Sequence, residues 1–321
     1  MIVVTGAFGF IGSALLAELQ NIGYGSLVAV DDFSVESKKY TLENIKTLLR
    51  INREDFHFWL EKNQKEVQIV FHIGARTRTD EFNWDNLNLL NVHYTKKIWQ
   101  LCTDYSIPLI YASSAATYGD GKLGFSDKHE MISGLKPLNP YGESKQQIDE
   151  WILQQSKTPP FWAGFKFFNV FGPNEYHKGR MASVVFHAFN QINETKKVKL
   201  FKSYNSKYTD GGQLRDFVYI KDVVSVLIYF MENRKHSGIY NLGSGTARTF
   251  EELAEGVFKA LNIPSNIEFI DMPEDIRENY QYYTKAEMEK IIAAGYTRAF
   301  WSFKQAIYDY VINYLIKRER Y

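Results

Sequence analysis

The sequence predicts an α/β fold, a doubly wound parallel sheet with a smaller α/β C-terminal part. Three observations carry that expectation. Apolar runs of strand length alternate with helical patterns from residue 2 to residue 168. A glycine triplet joins the first strand to the first helix. After about residue 172 the alternation loosens, yet no Ser/Gly/Pro linker divides the halves, so the second part is expected to be woven onto the first.

Ile2–Thr5 is a short apolar run bounded by glycine and reads as a buried parallel strand. Phe10 to Leu19 has helical spacing and ends near Gly23. Leu27 to Val30 is a second strand, stopped by Asp31-Asp32, and residues 34–53 have no regular pattern. Phe56 to Leu60 reads as a short helix, Gln68 to Phe71 as a third strand and Trp84 to Asp104 as a long helix. A strand over Pro108–Ala112, a helix over Gly142–Gln155 and a strand over Phe161–Phe168 follow. Beyond residue 172 the pattern gives a helix over Ala182–Asn193, strands over Lys199–Phe201 and Phe217–Ile220, and a helix over Asp222–Met231. A strand over Ile239–Leu242 is expected to return to the sheet, with helices over Phe250–Leu261 and Trp301–Ile316 after it.

Composition narrows the function. The 321 residues allow one large domain or two smaller ones. Hydrophobic residues make up 45% and charged residues 23%, which suits a globular chain and not a disordered one. Thirty-eight basic against 37 acidic residues leave a formal charge of +1, so no broad basic face for nucleic acid is expected. A single cysteine, Cys102, excludes intrachain disulfides and thiolate zinc sites and suits a reducing cytoplasm. The histidines show no ligand spacing, so no metal is expected. No apolar run reaches the ~18 residues of a membrane span, and the opening MIVVTGAFGF lacks a basic n-region. The expected setting is the cytoplasm, with no membrane partner. Aromatics, at 16%, read as core and subunit contacts of a homo-oligomer.

Gly6-Ala-Phe-Gly9-Phe-Ile-Gly12 leaves the first strand and opens the first helix. Gly6 permits the tight turn, Gly9 admits a cofactor backbone, and Gly12 lets helix and strand pack closely. The helix N-terminus then faces a pyrophosphate, the arrangement of a Rossmann fold. Asp31, about twenty residues on, can accept hydrogen bonds from the adenosine ribose. Asp32 beside it repels a 2′-phosphate, whereas Lys38, Lys39 and Arg53 can offset that charge. NADP and NAD both stay open on these residues. Residues 1–171 thus read as the dinucleotide-binding domain, with 215–245 returning to it, and 172–321 as mainly the substrate-binding domain.

The fourth strand runs into Tyr111-Ala-Ser-Ser-Ala-Ala-Thr-Tyr-Gly119, and Pro140-Tyr141-Gly-Glu-Ser-Lys145 opens a later helix. Tyr141 and Lys145, four apart, share a helical face. A phenol titrating near ~10 is a poor base at neutral pH, and a nearby ammonium is expected to lower that value. The same ammonium can hold a nicotinamide ribose, and Ser114 can bond the reacting oxygen.

With these residues the chain resembles the extended short-chain dehydrogenase/reductases that act on nucleotide sugars. A narrower likeness, to the ADP-L-glycero-D-manno-heptose 6-epimerases, runs through Tyr111–Gly119, Phe168-Asn-Val170 with Gly172-Pro173, His177-Lys-Gly179 with Met181-Ala-Ser-Val184, and Phe186-His187. Arg215-Asp-Phe-Val-Tyr219, Asn241-Leu-Gly243 and Tyr280-Gln281 continue it. The resemblance implies NADP-dependent epimerisation of ADP-heptose, in which carbon 6 is oxidised to a ketone and reduced again from the opposite face. It assigns Tyr141 and Lys178 as the two proton-transfer groups, with Lys145 and Ser114 beside Tyr141. It places Phe10, Ile11, Ala75, Asn91, Val170 and Lys178 at the cofactor. Asn169, Arg180, His187, Phe201, Arg215 and Tyr280 line the sugar-nucleotide pocket, Arg215 with a planar fork suited to pyrophosphate.

The chain departs from the family pattern in places. Asp31-Asp32 stands for Asp-Asn, and Ile73-Gly-Ala-Arg76 for Glu-Gly-Ala-Cys, which puts Arg76 near the cofactor phosphates. Arg180 replaces a small polar residue, and Thr209–Gln213 resembles a small insertion. Competing readings are a hexose 4-epimerase or a reductase of the same superfamily, a 4,6-dehydratase, and a cofactor-sensing protein without activity. Ala115-Ala116 occupies the place where dehydratases carry Asp-Glu, which argues against elimination of water. A 4-epimerase needs only the tyrosine and leaves Lys178 without a task.

Overall fold

The structure, a computed structural model, describes residues 1–36, 41–43, 45–46, 48–78, 81–277 and 280–321. The first half supplies β1 (Ile2–Thr5), β2 (Leu27–Asp31), β3 (Leu48–Asn52), β4 (Ile69–His72), β5 (Leu109–Ser114) and β6 (Trp162–Phe167). The second supplies β7 (Asn169–Phe171), β8 (Val198–Phe201), β9 (Leu214–Tyr219), β10 (Gly238–Leu242), β11 (Ala247–Thr249) and β12 (Ile267–Ile270). Seven of them form one parallel sheet in the order β10-β6-β5-β4-β1-β2-β3.

The sheet is covered on both faces, and the period-2 alternation of β1 shows how. Ile2 and Val4 join one apolar cluster with Leu15 and Leu16 of the helix Phe10–Asn21 and Val224 and Leu227 of the helix Ile220–Glu232. Val3 joins the other, with Phe56, Trp99 and Ile148 from the helices on the opposite face. Around this layer β9 lies between β7 and β11 in a small sheet, and β8 pairs with β12. Of the segment 215–245, β10 joins the large sheet and β9 does not.

Several elements differ from the sequence expectation. Residues 34–53 contain β3, an edge strand whose half-exposed Leu48–Asn52 lacks a continuous apolar run. The long helix Trp84–Asp104 is interrupted by a π turn over Asn88–His93. The strand expected over Phe161–Phe168 is β6, and β7, which was not expected, follows it directly in a different sheet. Among the described residues no helix is long and apolar enough to cross a membrane.

Candidate functional site

The parallel strands end along one edge of the sheet, and Gly6, Asp31 and Ser114 lie there. Gly6 follows β1 with φ +69°, and a Cβ on it would lie 2.5 Å from Gly74 Cα, beyond the end of β4. Two loop backbones therefore touch, which only glycine permits. Gly9 caps the helix Phe10–Asn21 without a side-chain cap, leaving its first turn open to an anion. Asp31, ending β2, accepts from Phe8 N and Asp32 N, both at 2.8 Å, so its carboxylate braces the glycine loop. A glycine cradle, an uncapped helix start and a strand-end carboxylate fit a dinucleotide. Arg53 N bonds the Asp31 carbonyl at 2.9 Å, and its guanidinium stands 3.9 Å from Asp32 and 3.3 Å from Glu54. Lys38 and Lys39 lie outside the described residues. Ile11 and Ala75 are half-buried beside these loops. Arg76 pairs with Glu81 at 3.1 Å. Asn91 is fully buried, and its amide is taken up by Arg76 N, Arg76 O and Ser144 Oγ. In this arrangement Asn91 ties the π turn to the loop after β4.

The helix Pro140–Leu153 starts at an Asn139 cap with proline in its first turn. It presents Tyr141, Lys145 and Asp149 on one face toward β5. Ser114, ending β5, hydrogen-bonds Tyr141, and its Oγ accepts from Ala116 N at 3.1 Å. Lys145 Nζ donates to the Ala112 carbonyl at 2.8 Å. The Tyr141 phenol was expected to titrate below its ordinary value; its shift runs the other way. Burial raises that phenol above its ordinary value and Asp149 adds to it, while the Ser114 bond opposes. Lys145 itself pays for burial: its pKa falls to about 8, with Asp149 pulling it back.

Sequence reasoning missed the groups behind this triad. Asp149 is wholly buried and accepts from Tyr111 Oη at 3.0 Å, Ser113 Oγ at 2.6 Å and Lys166 Nζ at 2.6 Å. His72 bridges Thr5 at 2.7 Å and Thr95 at 2.9 Å. Burial first, then the Lys145 charge, lowers its pKa to about 3, so it is neutral. The signal for the ion pair was present: a lysine inside an apolar strand and a carboxylate two turns past Tyr141.

Lys178 arrives from the irregular turn Tyr176–Met181, with its ammonium 5.3 Å from the Phe10 ring centre. Burial lowers its pKa and Glu175 opposes. Arg215, 8% exposed on β9, lies between the rings of Phe250 at 5.6 Å and Tyr280 at 5.3 Å. His187 Nε2 meets the Arg180 carbonyl at 3.3 Å, while the Arg180 side chain is exposed. Asn169 is exposed, and Val170 and Phe201 are half-buried at the ends of their strands. The structure thus joins Tyr141 with Ser114, Lys178 with Phe10, Arg215 with Tyr280, and Arg180 with His187.

A sequence model described as the NAD dependent epimerase/dehydratase family matches residues 2–243. The ADP-L-glycero-D-manno-heptose-6-epimerase of Fusobacterium nucleatum is 43% identical over all of both chains. That of Nitratidesulfovibrio vulgaris is 41% identical over 98% of each. Among solved structures, the Helicobacter pylori ADP-L-glycero-D-manno-heptose-6-epimerase superposes with a TM-score of 0.81 at 28% identity, covering 97% of this chain and 95% of that one. A UDP-N-acetylglucosamine 4-epimerase from Methanobrevibacter ruminantium gives 0.84 at 22% identity, covering 99% and 98%, a likeness of fold.

Proposed function

We propose that this chain, which belongs to the NAD dependent epimerase/dehydratase family, interconverts ADP-D-glycero-D-manno-heptose and ADP-L-glycero-D-manno-heptose by inverting carbon 6. The observation that carries the reading is that Tyr141 and Lys178, both half-buried, sit on separate elements, Tyr141 on a helix beside β5 and Lys178 on a turn against the glycine loop. A dinucleotide held at the glycine loop would supply the hydride acceptor and donor that inversion at carbon 6 requires. Inversion moves the carbon-6 oxygen from one side to the other, so each epimer needs its own acid and base. Tyr141, kept protonated by burial, gives its proton to that oxygen on one side and recovers it in the reverse direction. Lys178, whose ammonium is destabilised by burial, takes the proton on the other. Ser114 orients the Tyr141 phenol, and Lys145 holds its ammonium at the end of β5, where it would bind the cofactor's ribose. Arg215, pinned between two rings, binds the substrate pyrophosphate with its outer face.

In this reading residues 1–171, rejoined by 215–245, hold the cofactor and the rest of 172–321 holds the sugar nucleotide. The cofactor is NADP, with Arg53 offsetting Asp32. The enzyme works as a cytoplasmic homo-oligomer.

An ADP-mannose bearing an aldehyde at carbon 6 tests the two-base reading. One such molecule, as its hydrate, is oxidised to the acid while a second is reduced to the alcohol, consuming one water, with no inversion required. Tyr141→Phe and Lys178→Met should each lower epimerisation by ~10²–10⁴-fold yet still dismutate the aldehyde. The double variant should do neither. A Lys178→Met enzyme that epimerises at the wild-type rate would instead favour a one-base 4-epimerase.

A further inference from the structure

We propose that residues Glu319–Tyr321 form a positioning strap that holds the Lys178 turn, and with it one of the two proton-transfer groups, against the glycine loop. This rests on the reading of Lys178 as a base.

The chain around Lys178 has two kinds of anchor. The inner ones are its own. Glu175 is fully buried and accepts from Ser183 N at 2.5 Å, Ser183 Oγ at 2.6 Å and Gly172 N at 3.4 Å. The outer ones come from the first helix and from residues 319–321. Asn174, 2% exposed at φ +78°, donates to Ser13 Oγ at 3.1 Å and accepts from Tyr321 N at 2.9 Å. Tyr176 Oη donates to the Glu319 carbonyl at 2.7 Å. The strap therefore grips the chain four and two residues before Lys178.

The strap is itself held. The Tyr321 phenol donates to Glu18 Oε2 at 2.9 Å, on the helix that the glycine loop opens. The Tyr321 ring lies 5.5 Å from the Lys221 ammonium, which also faces Tyr314 and Trp301 and bonds Asp309 Oδ2 at 2.7 Å. One short segment thus connects the first helix, a cationic aromatic cluster and the Lys178 turn.

The turn needs such support on its outer side. Gly179, next to Lys178, has φ +53°, and an added Cβ there would meet nothing within 4 Å. The space beside Gly179 is therefore open on that side of the turn. A displacement of about 1 Å in a reacting group costs on the order of a hundredfold in rate. Tyr141 sits on a capped helix of 14 residues and does not depend on the strap.

That asymmetry supplies the test. Tyr176→Phe removes the bond to Glu319 and keeps the ring near Phe186, 5.9 Å away. Tyr321→Ala removes the clamp on Glu18 and Lys221, and Tyr321→Phe restores the ring alone. Each is made in two backgrounds, and dismutation of the carbon-6 aldehyde is followed. In Tyr141→Phe enzyme, which relies on Lys178, Tyr176→Phe and Tyr321→Ala should each cost about tenfold to a hundredfold, with partial recovery in Tyr321→Phe. In Lys178→Met enzyme, which relies on Tyr141, they should change nothing. An equal loss in both backgrounds would make the strap a general stabiliser, and no loss in either would make it idle; both results overturn the proposal. Failure of the base reading is seen separately, in the Lys178→Met enzyme before any strap variant is added.

Discussion

Lys145 keeps a proton that its surroundings resist. It is 4% exposed, and burial draws its pKa down to about 8 from 10.5 in the unfolded chain. Between those two values the unfolded chain binds more protons than the folded one, so folding stability rises with pH across the window. The free energy of unfolding in urea, followed from about pH 8 upward, should increase for the wild type relative to Lys145→Met. Parallel curves would place the ammonium in a well-solvated setting. The i to i+4 spacing made Tyr141 and Lys145 legible as a pair, because helical periodicity alone puts them on one face. The direction of the Tyr141 shift was not legible. It follows from burial and from Asp149, which spacing does not report. Arg215 and Tyr280 were grouped only through the family likeness, and the Phe250 ring on the other side of Arg215 was not foreseen.

At the scale of elements, the helix Pro140–Leu153 is tied to the sheet by its buried charge. Asp149 pairs with Lys166 of β6, both with 0% side-chain exposure, and also takes hydroxyl donors from β5. Asp149→Asn leaves Lys166 buried without a counter-charge and should cost about 3–5 kcal/mol in denaturant unfolding. Asp149→Leu with Lys166→Met should recover part of that loss, because an apolar pair carries no desolvation penalty although the Tyr111 and Ser113 hydroxyls still lose their acceptor. If the double variant is no more stable than Asp149→Asn, the pair itself stabilises the helix on β6. The central strands β1, β4 and β5 were legible because each is a continuous apolar run covered on both faces. The edge strand β3 was not, since Leu49, Arg50 and Asn52 face solvent. The π turn at Asn88–His93 left no sequence mark either. It brings Asn91 to Ser144 and Arg76, partners 53 and 15 positions away.

For the whole molecule, the cofactor should be the largest single source of added stability. A ligand that binds only the folded state at a hundred times its dissociation constant adds about 2.7 kcal/mol. NADP should therefore raise the melting temperature more than NAD at equal concentration, and Arg53→Glu should remove the difference while leaving the response to NAD. Equal shifts before and after that change would release Arg53 from any part in the choice. The sheet topology also bears on synthesis. β6 is flanked by β5 on one side and β10 on the other, and Trp162 N reaches Ser237 Oγ across 75 positions of chain. At ~5–20 residues per second, the ribosome leaves the outer edge of β6 unpaired for on the order of ten seconds. That edge carries Phe165 and Phe167 in an extended strand, a template for adding a strand from another nascent chain. Slowing translation between residues 167 and 238 should therefore increase aggregation during expression without altering the finished protein.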